Sequence, residues 1–128
     1  MDDFTRSDGL LPLSCTASRP RPDVCVAHLT GELDMATAPF LAEYLREHTA
    51  ARPSDLVLDL GGVTLLAAAG LALIVEALNN GSGIHGRLHL TGVTDNRPVE
   101  RVLQLTGLLS VLDVHQDLQT LLHTLPRS

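Results

Sequence analysis

The chain has 128 residues, which suits a single domain that can bury an apolar core without disulfides or a structural metal. Hydrophobic residues make up 45% and charged residues 19%, a balance too apolar for a disordered chain. The net charge is −6, every basic residue is an arginine, and there are only two Phe and one Tyr. Without a basic patch or stacking aromatics, direct binding to DNA or RNA is not expected.

Membrane insertion and secretion are not expected either. No stretch reaches the roughly 18 consecutive apolar residues of a membrane span. The N-terminus is acidic at Asp2 and Asp3 and lacks the apolar segment and cleavage site of a secretory signal. We therefore expect a cytoplasmic protein.

Residues 1–9 are polar and are predicted to form a flexible tail before one domain of residues 10–126. Alternating or continuous apolar runs between turn residues predict five strands. These strands are Leu10–Ala17, Val24–Gly31, Leu56–Leu60, Arg87–Thr91 and Val111–Val114. Gly61 and Gly62 are predicted to end the third strand, and the segment after them to be a loop that enters a buried helix.

Four segments show helical periodicity. The first spans Ala36–Ala51, with Thr37 or Asp34 as its N-terminal cap. The apolar stripes of the other three are Leu71, Ile74, Val75 and Leu78; Val99, Val102, Leu103 and Thr106; and Leu118, Leu121, Leu122 and Leu125. Alternation of helices and strands predicts an α/β domain, with a mixed, mostly parallel sheet of about five strands and about four helices.

Cys15 and Cys25 are too few for a disulfide framework or a zinc site, and we interpret them as buried, reduced thiols. A hairpin around Arg19–Pro22 would place them nearly opposite each other. The six histidines are scattered and lack metal-ligand spacing, so we interpret them as exposed or half-buried structural residues and expect no metal site.

The sequence contains no recognised catalytic motif. There is no Gly-x-Ser-x-Gly elbow, no phosphate-binding loop and no lysine, and neither cysteine lies near a predicted helix N-terminus. Gly81-Ser82-Gly83 follows a helix and is interpreted as a turn. We therefore expect that the protein is not an enzyme and binds no cofactor.

Two segments at strand-to-helix junctions carry a family resemblance. They are Leu29-Thr30-Gly31-Glu32-Leu33-Asp34-Met35-Ala36-Thr37-Ala38 and Leu58 to Leu71, which contains Gly61-Gly62 and Ala67-Ala68-Ala69-Gly70. In this order and at this separation, they resemble the STAS family, specifically its anti-sigma factor antagonists. Arg101 to Leu108 is similar to the third helix and turn of that family.

The resemblance implies a partner-switching role. Antagonists of this family bind an anti-sigma factor that is also a serine kinase, which frees a sigma factor. The kinase phosphorylates one serine at the start of the second helix, and the added charge of about −1.5 to −2 blocks docking.

This sequence departs from the family at that position. The family stretch Asp-Ser-Ser-Gly-Leu falls on Ala67-Ala68-Ala69-Gly70-Leu71, so Ala69 occupies the phosphoacceptor position and has no hydroxyl. Asp34 and Thr37 match the first loop of the family. The resemblance therefore implies an antagonist that is not switched off at the usual serine. Thr64, on the same loop, offers another hydroxyl, for which a structural use is the preferred interpretation.

The predicted partner-binding residues follow from these matches: Asp34, Thr37, Leu66, Ala67, Ala68, Ala69, Gly70 and Leu71. The predicted partner is an anti-sigma factor or serine kinase-like protein, and a homodimer is left open. One alternative is a STAS scaffold or an accessory subunit of a larger assembly or transport complex. Another is a small-ligand sensor, which no convergent polar set supports.

Overall fold

The structure is a computed structural model that describes residues 3–6, 12–49, 54–79, 87–110 and 112–125. Six strands form one sheet in chain order: β1 (Asp3–Arg6), β2 (Leu13–Arg21), β3 (Val24–Leu33), β4 (Asp55–Leu66), β5 (Arg87–Thr91) and β6 (Asp113–Val114). The helices are α1 (Ala38–His48), α2 (Ala68–Asn79), α3 (Arg97–Thr106) and α4 (Leu118–Thr124), with a 3₁₀ turn at Leu108–Ser110. None of the helices in these described stretches is long and apolar enough to cross a membrane.

The sheet is mixed. β1, β2 and β3 pair antiparallel, and β3, β4, β5 and β6 pair parallel. The predicted fold class, a mostly parallel mixed sheet with four helices, is confirmed. The extra strand is β1, which pairs with β2 and lies within the predicted tail of residues 1–9.

Helices cover both faces of the sheet. Successive strand side chains point to opposite faces, so neighbours in β3 and β4 enter different cores. Ala27 and Leu58 pack in the larger core with α1, α2 and α3, whereas Val26 and Val57 pack with Leu121 of α4. This two-sided burial explains the nearly continuous apolar run in β4.

β4 is longer than predicted. Gly61 and Gly62 do not end it; the strand continues to Leu66 and stays paired with β3 through Leu33. The physical reason is a close approach: a Cβ atom at Gly62 would lie 2.7 Å from the Leu29 carbonyl oxygen. Glycine at this position lets β4 follow the irregular part of β3, and the extension carries Leu66 to the edge where α2 begins.

The first helix lies close to its predicted bounds, and the apolar stripes predicted for the other three fall on α2, α3 and α4, with Leu125 directly after the last. α1 starts at Ala38, two residues later than predicted, and Ala50 and Ala51 lie outside the described residues, as do Leu10, Val111 and Pro126 of other predicted elements. The predicted turn at Gly81-Ser82-Gly83 also lies outside them.

The cysteines are not opposite each other. Cys15 of β2 pairs with Leu29, and Cys25 of β3 pairs with Leu56 on the other neighbouring strand, because β2 continues to Arg21 and the chain turns only at Pro22 and Asp23. The prediction that Cys15 and Cys25 lie nearly opposite each other is therefore wrong. Neither cysteine is in a disulfide and both are buried, and burial, together with the nearby Cys25, raises the pKa of the Cys15 thiol to about 12. Cys15 stays protonated and unreactive near neutral pH.

Candidate functional site

Two connecting segments meet at one edge of the sheet. The β3–α1 loop (residues 34–37) and the β4–α2 turn (residues 66–71) each follow a strand of the parallel pair, so they emerge side by side. The Ala67 backbone N–H donates to the Leu33 carbonyl at 2.9 Å, which extends the strand pairing into the turn. Ligand and partner sites of open α/β sheets commonly form at this edge.

The β3–α1 loop is held by reciprocal bonds between Asp34 and Thr37. Asp34 Oδ1 accepts from the backbone N–H groups of Ala36 and Thr37 at 2.9 and 3.0 Å. In return, Thr37 Oγ1 accepts from the Asp34 N–H at 3.0 Å and donates to the Glu32 carbonyl at 2.8 Å. Asp34 therefore satisfies the free N–H groups before α1, whereas the side chain of Thr37, the N-terminal boundary residue, makes no capping bond to the helix.

The two segments touch at Gly70. A Cβ atom at this position would lie 2.9 Å from both the Asp34 Cα and carbonyl carbon atoms. That separation is shorter than any real Cβ contact, so the first turn of α2 approaches the Asp34 backbone as closely as only glycine allows. The loop and the turn consequently form one continuous surface.

The predicted partner-binding residues divide by exposure. Ala69 is exposed, Asp34, Ala67 and Ala68 are half-buried, and Thr37, Leu66, Gly70 and Leu71 are buried. The buried four can shape the surface but offer a partner no side-chain contact. Two exposed apolar residues, absent from the predicted set, adjoin it: Met35 is 55% exposed and Leu65 is 45% exposed.

The start of α2 is apolar. The Leu71 N–H donates to the Ala67 carbonyl at 3.2 Å, which makes Ala67 the N-cap, and its methyl group can accept no hydrogen bond. Ala68 and Ala69 add no polar side chain, and the Asp34 backbone lies against the next residue, Gly70. The three alanines offer no side chain that could act as a nucleophile or transfer a proton, and they can form a contact surface.

The hydroxyl of Thr64 has a structural partner. Thr64 Oγ1 donates to the Gly31 carbonyl of the neighbouring strand at 3.3 Å, although the residue itself is exposed. This contact agrees with the structural use preferred for Thr64.

One histidine does not fit its sequence interpretation. His89 is fully buried, so the description of the histidines as exposed or half-buried is wrong for this residue. It contacts Asp55 and Asp113, and Asp113 also contacts His115. Two features of the sequence could have revealed this cluster: the Asp-x-His spacing of Asp113 and His115, and a histidine in the preceding strand.

Comparisons with known proteins define the class. The fold and the junction describe an α/β domain whose candidate site is a surface. The STAS domain family model matches residues 17–121. The anti-sigma-B factor antagonist of Staphylococcus aureus strain NCTC 8325 is 30% identical over 86 residues, which cover 67% of this chain and 78% of the relative.

Solved structures agree. An anti-sigma factor antagonist from Mycobacterium paratuberculosis superposes with a TM-score of 0.71 at 25% identity, covering 87% of this chain and 92% of the other. A putative anti-sigma factor antagonist from Thermotoga maritima gives a TM-score of 0.73 at 22% identity, covering 88% and 95%, which shows the shared fold. This chain belongs to the STAS domain family.

The buried hydroxyl of Thr37 provides a direct test of how the loop is held. Thr37→Val keeps the shape of the side chain but leaves the Asp34 N–H without its acceptor. We expect the free energy of unfolding, measured by urea denaturation, to fall by about 1–3 kcal/mol. Thr64→Val is the matched control at an exposed hydroxyl and should change stability by less than about 0.5 kcal/mol. Equal effects of the two substitutions would contradict the proposed loop structure.

Proposed function

We propose that this chain is a non-catalytic regulatory domain that binds an anti-sigma factor of the serine-kinase type and so controls sigma-factor-dependent transcription. The docking surface, as we define it, consists of Asp34, Met35, Leu65 and Ala67–Ala69. The observation that carries the proposal is the contact of Gly70 with Asp34, because it joins two exposed apolar segments into one surface.

The composition of this surface supports a protein partner. Exposed apolar side chains at a loop tip more often mark contact sites than chance exposure. Met35 is flexible and polarisable, which suits adaptable protein contacts. Asp34 adds one negative charge, but it accepts two backbone bonds and is already oriented. A partner would meet an apolar patch with the fixed carboxylate of Asp34 beside it.

The identity of the partner rests on the family relatives. The S. aureus relative is named an anti-sigma-B factor antagonist, and its name defines an anti-sigma factor as its target. The same role for this chain is favoured over that of a scaffold or transport subunit. A cytoplasmic location follows from that role, because the proposed partner acts on transcription.

We further propose that serine phosphorylation at the usual position does not switch this antagonist off. Ala69 occupies the expected phosphoacceptor position and is exposed in the first turn of α2, where a kinase could reach a hydroxyl if one were present. A phosphate there would place about −1.5 to −2 charges in the middle of the apolar docking surface and oppose binding. With alanine, the surface keeps its binding-competent form in the presence of ATP.

A charged side chain introduced into the apolar part of the docking surface tests this assignment. Leu65→Glu should weaken binding to the cognate anti-sigma factor, drawn from those encoded in the same genome, by at least about tenfold in Kd, since docking would bury an unpaired carboxylate. Leu105→Glu is the matched control: Leu105 is 76% exposed on α3 and lies outside the docking surface. Isothermal titration calorimetry measures both. Full affinity in Leu65→Glu, or an equal loss in Leu105→Glu, contradicts the assignment.

The missing switch is tested with ATP and mass spectrometry. The unmodified chain should remain bound to the anti-sigma kinase and gain no phosphate, whereas Ala69→Ser should gain one phosphate and dissociate. Ala72→Ser, an exposed position three residues further along α2, is the control and should remain unmodified. Stoichiometric phosphate on the unmodified chain would disprove the absence of a switch.

A further inference from the structure

A cluster of polar side chains lies at the opposite end of β4 from the docking surface. Asp55 begins β4, His89 is in β5, Asp113 is in β6 and His115 directly follows β6. Val57 and His89 are register partners, so His89 lies on the α4 side of the sheet with Val57. Three adjacent parallel strands thus place two imidazoles and two carboxylates together.

The side-chain geometry is that of a potential ligand set. His89 Nδ1 lies 2.5 Å from Asp113 Oδ2, and His115 Nε2 lies 2.9 Å from the same oxygen. One ligand atom from each of His89, Asp113 and His115 falls within 4.8 Å of the others. Ligand atoms on a tetrahedral Zn²⁺ are about 3.3 Å apart, given bonds of about 2.0–2.1 Å, so small side-chain shifts would admit an ion.

The backbone fixes two of these ligands. Asp113 and His115 are separated by one residue at the end of a strand, a spacing that directs both side chains to the same face. The His115 N–H donates to the Leu90 carbonyl at 2.9 Å, which continues the β5–β6 pairing past the end of β6. His115 is therefore anchored to the strand that carries His89.

Asp55 orients the buried imidazole. Its Oδ1 lies 2.6 Å from His89 Nε2, where an ionised carboxylate accepts a hydrogen bond from the ring N–H. A metal at Nδ1 would replace the proton that this nitrogen directs at Asp113, while Nε2 stays bonded to Asp55. A carboxylate behind a ligating histidine is the usual outer contact of protein zinc sites, where it fixes the tautomer and raises ligand basicity.

The cluster is also accessible from outside. The His89 side chain is fully buried, but the side chains of Asp113 and His115 are 49% and 19% exposed. An ion can enter from the Asp113 side, and a water molecule can complete its coordination. The buried His89 supplies the rigid ligand and the two others close around the ion.

We infer that His89, Asp113 and His115 form a binding site for a divalent transition-metal ion of the Zn²⁺ type, with Asp55 as the positioning residue for His89. Two imidazole nitrogens and one carboxylate oxygen are a donor set that zinc accepts, with the fourth position open. On binding, the proton that Nδ1 donates to Asp113 in the metal-free chain passes to solvent. The ion would tie the two-residue strand β6 to β5.

The test uses the full chain without an affinity tag, titrated with ZnCl₂ by calorimetry, and with Co²⁺ followed by visible absorption. We expect one saturable equivalent of Zn²⁺ and the intense absorption of tetrahedral Co²⁺. His115→Ala should abolish both signals, and Asp55→Asn should weaken Zn²⁺ binding by about 10–100-fold. His123→Ala, an exposed histidine of α4, is the matched control and should bind like the unmodified chain.

The inference is overturned if the unmodified chain shows no saturable single equivalent, or if His115→Ala retains the affinity of the unmodified chain. Circular dichroism verifies folding of each variant. Should Asp55→Asn not fold, Asp113→Asn replaces it, because this position is half-exposed and the amide has a similar size. The cluster is remote from the docking surface, so neither result bears on binding of the anti-sigma factor.

Discussion

The close approach of Gly70 to the Asp34 backbone is the constraint on which the rest of the site depends. Because no side chain separates them, the first turn of α2 lies directly on the β3–α1 loop. Hydrogen bonds between Asp34 and Thr37 fix the loop from one side, and the continued pairing of Leu33 with Ala67 fixes the turn from the other. The exposed apolar side chains on both segments are thereby presented as one rigid surface, which lowers the entropic cost of binding a partner.

The two ends of β4 have different chemistry. At its C-terminal end, the junction with α2 is apolar, and Ala67 to Ala69 contribute neither a hydroxyl nor a charge. At its N-terminal end, the buried Asp55 and His89 belong to a polar network that extends to the half-exposed Asp113. Buried charged groups of this kind are retained only where their partners are in place. The network therefore holds β4, β5 and β6 together independently of the surface that we assign to the partner.

The sequence predicted the fold class well because helical and strand periodicities are local signals. It missed the extension of β4, since Gly61 and Gly62 suggested the end of the strand, whereas Gly62 lets β4 approach the backbone of β3 closely. The positions of the two loop segments were also predictable, from Asp34 and from Ala67 to Leu71. The exposure of their side chains was not predictable. Thr37 and Leu71 match the family loops, yet packing buries both of them. The exposed Met35 and Leu65 belong to no motif. The His89 cluster depends on strand register across three segments, which spacing alone does not reveal.

The central claim is that the loop and the turn act as one docking surface, and amide hydrogen exchange with and without the anti-sigma factor tests it most directly. The account predicts that slowed exchange appears together in residues 34–37 and 65–71, with α4 on the opposite face unchanged. Protection confined to α4, or to only one of the two segments, would contradict it.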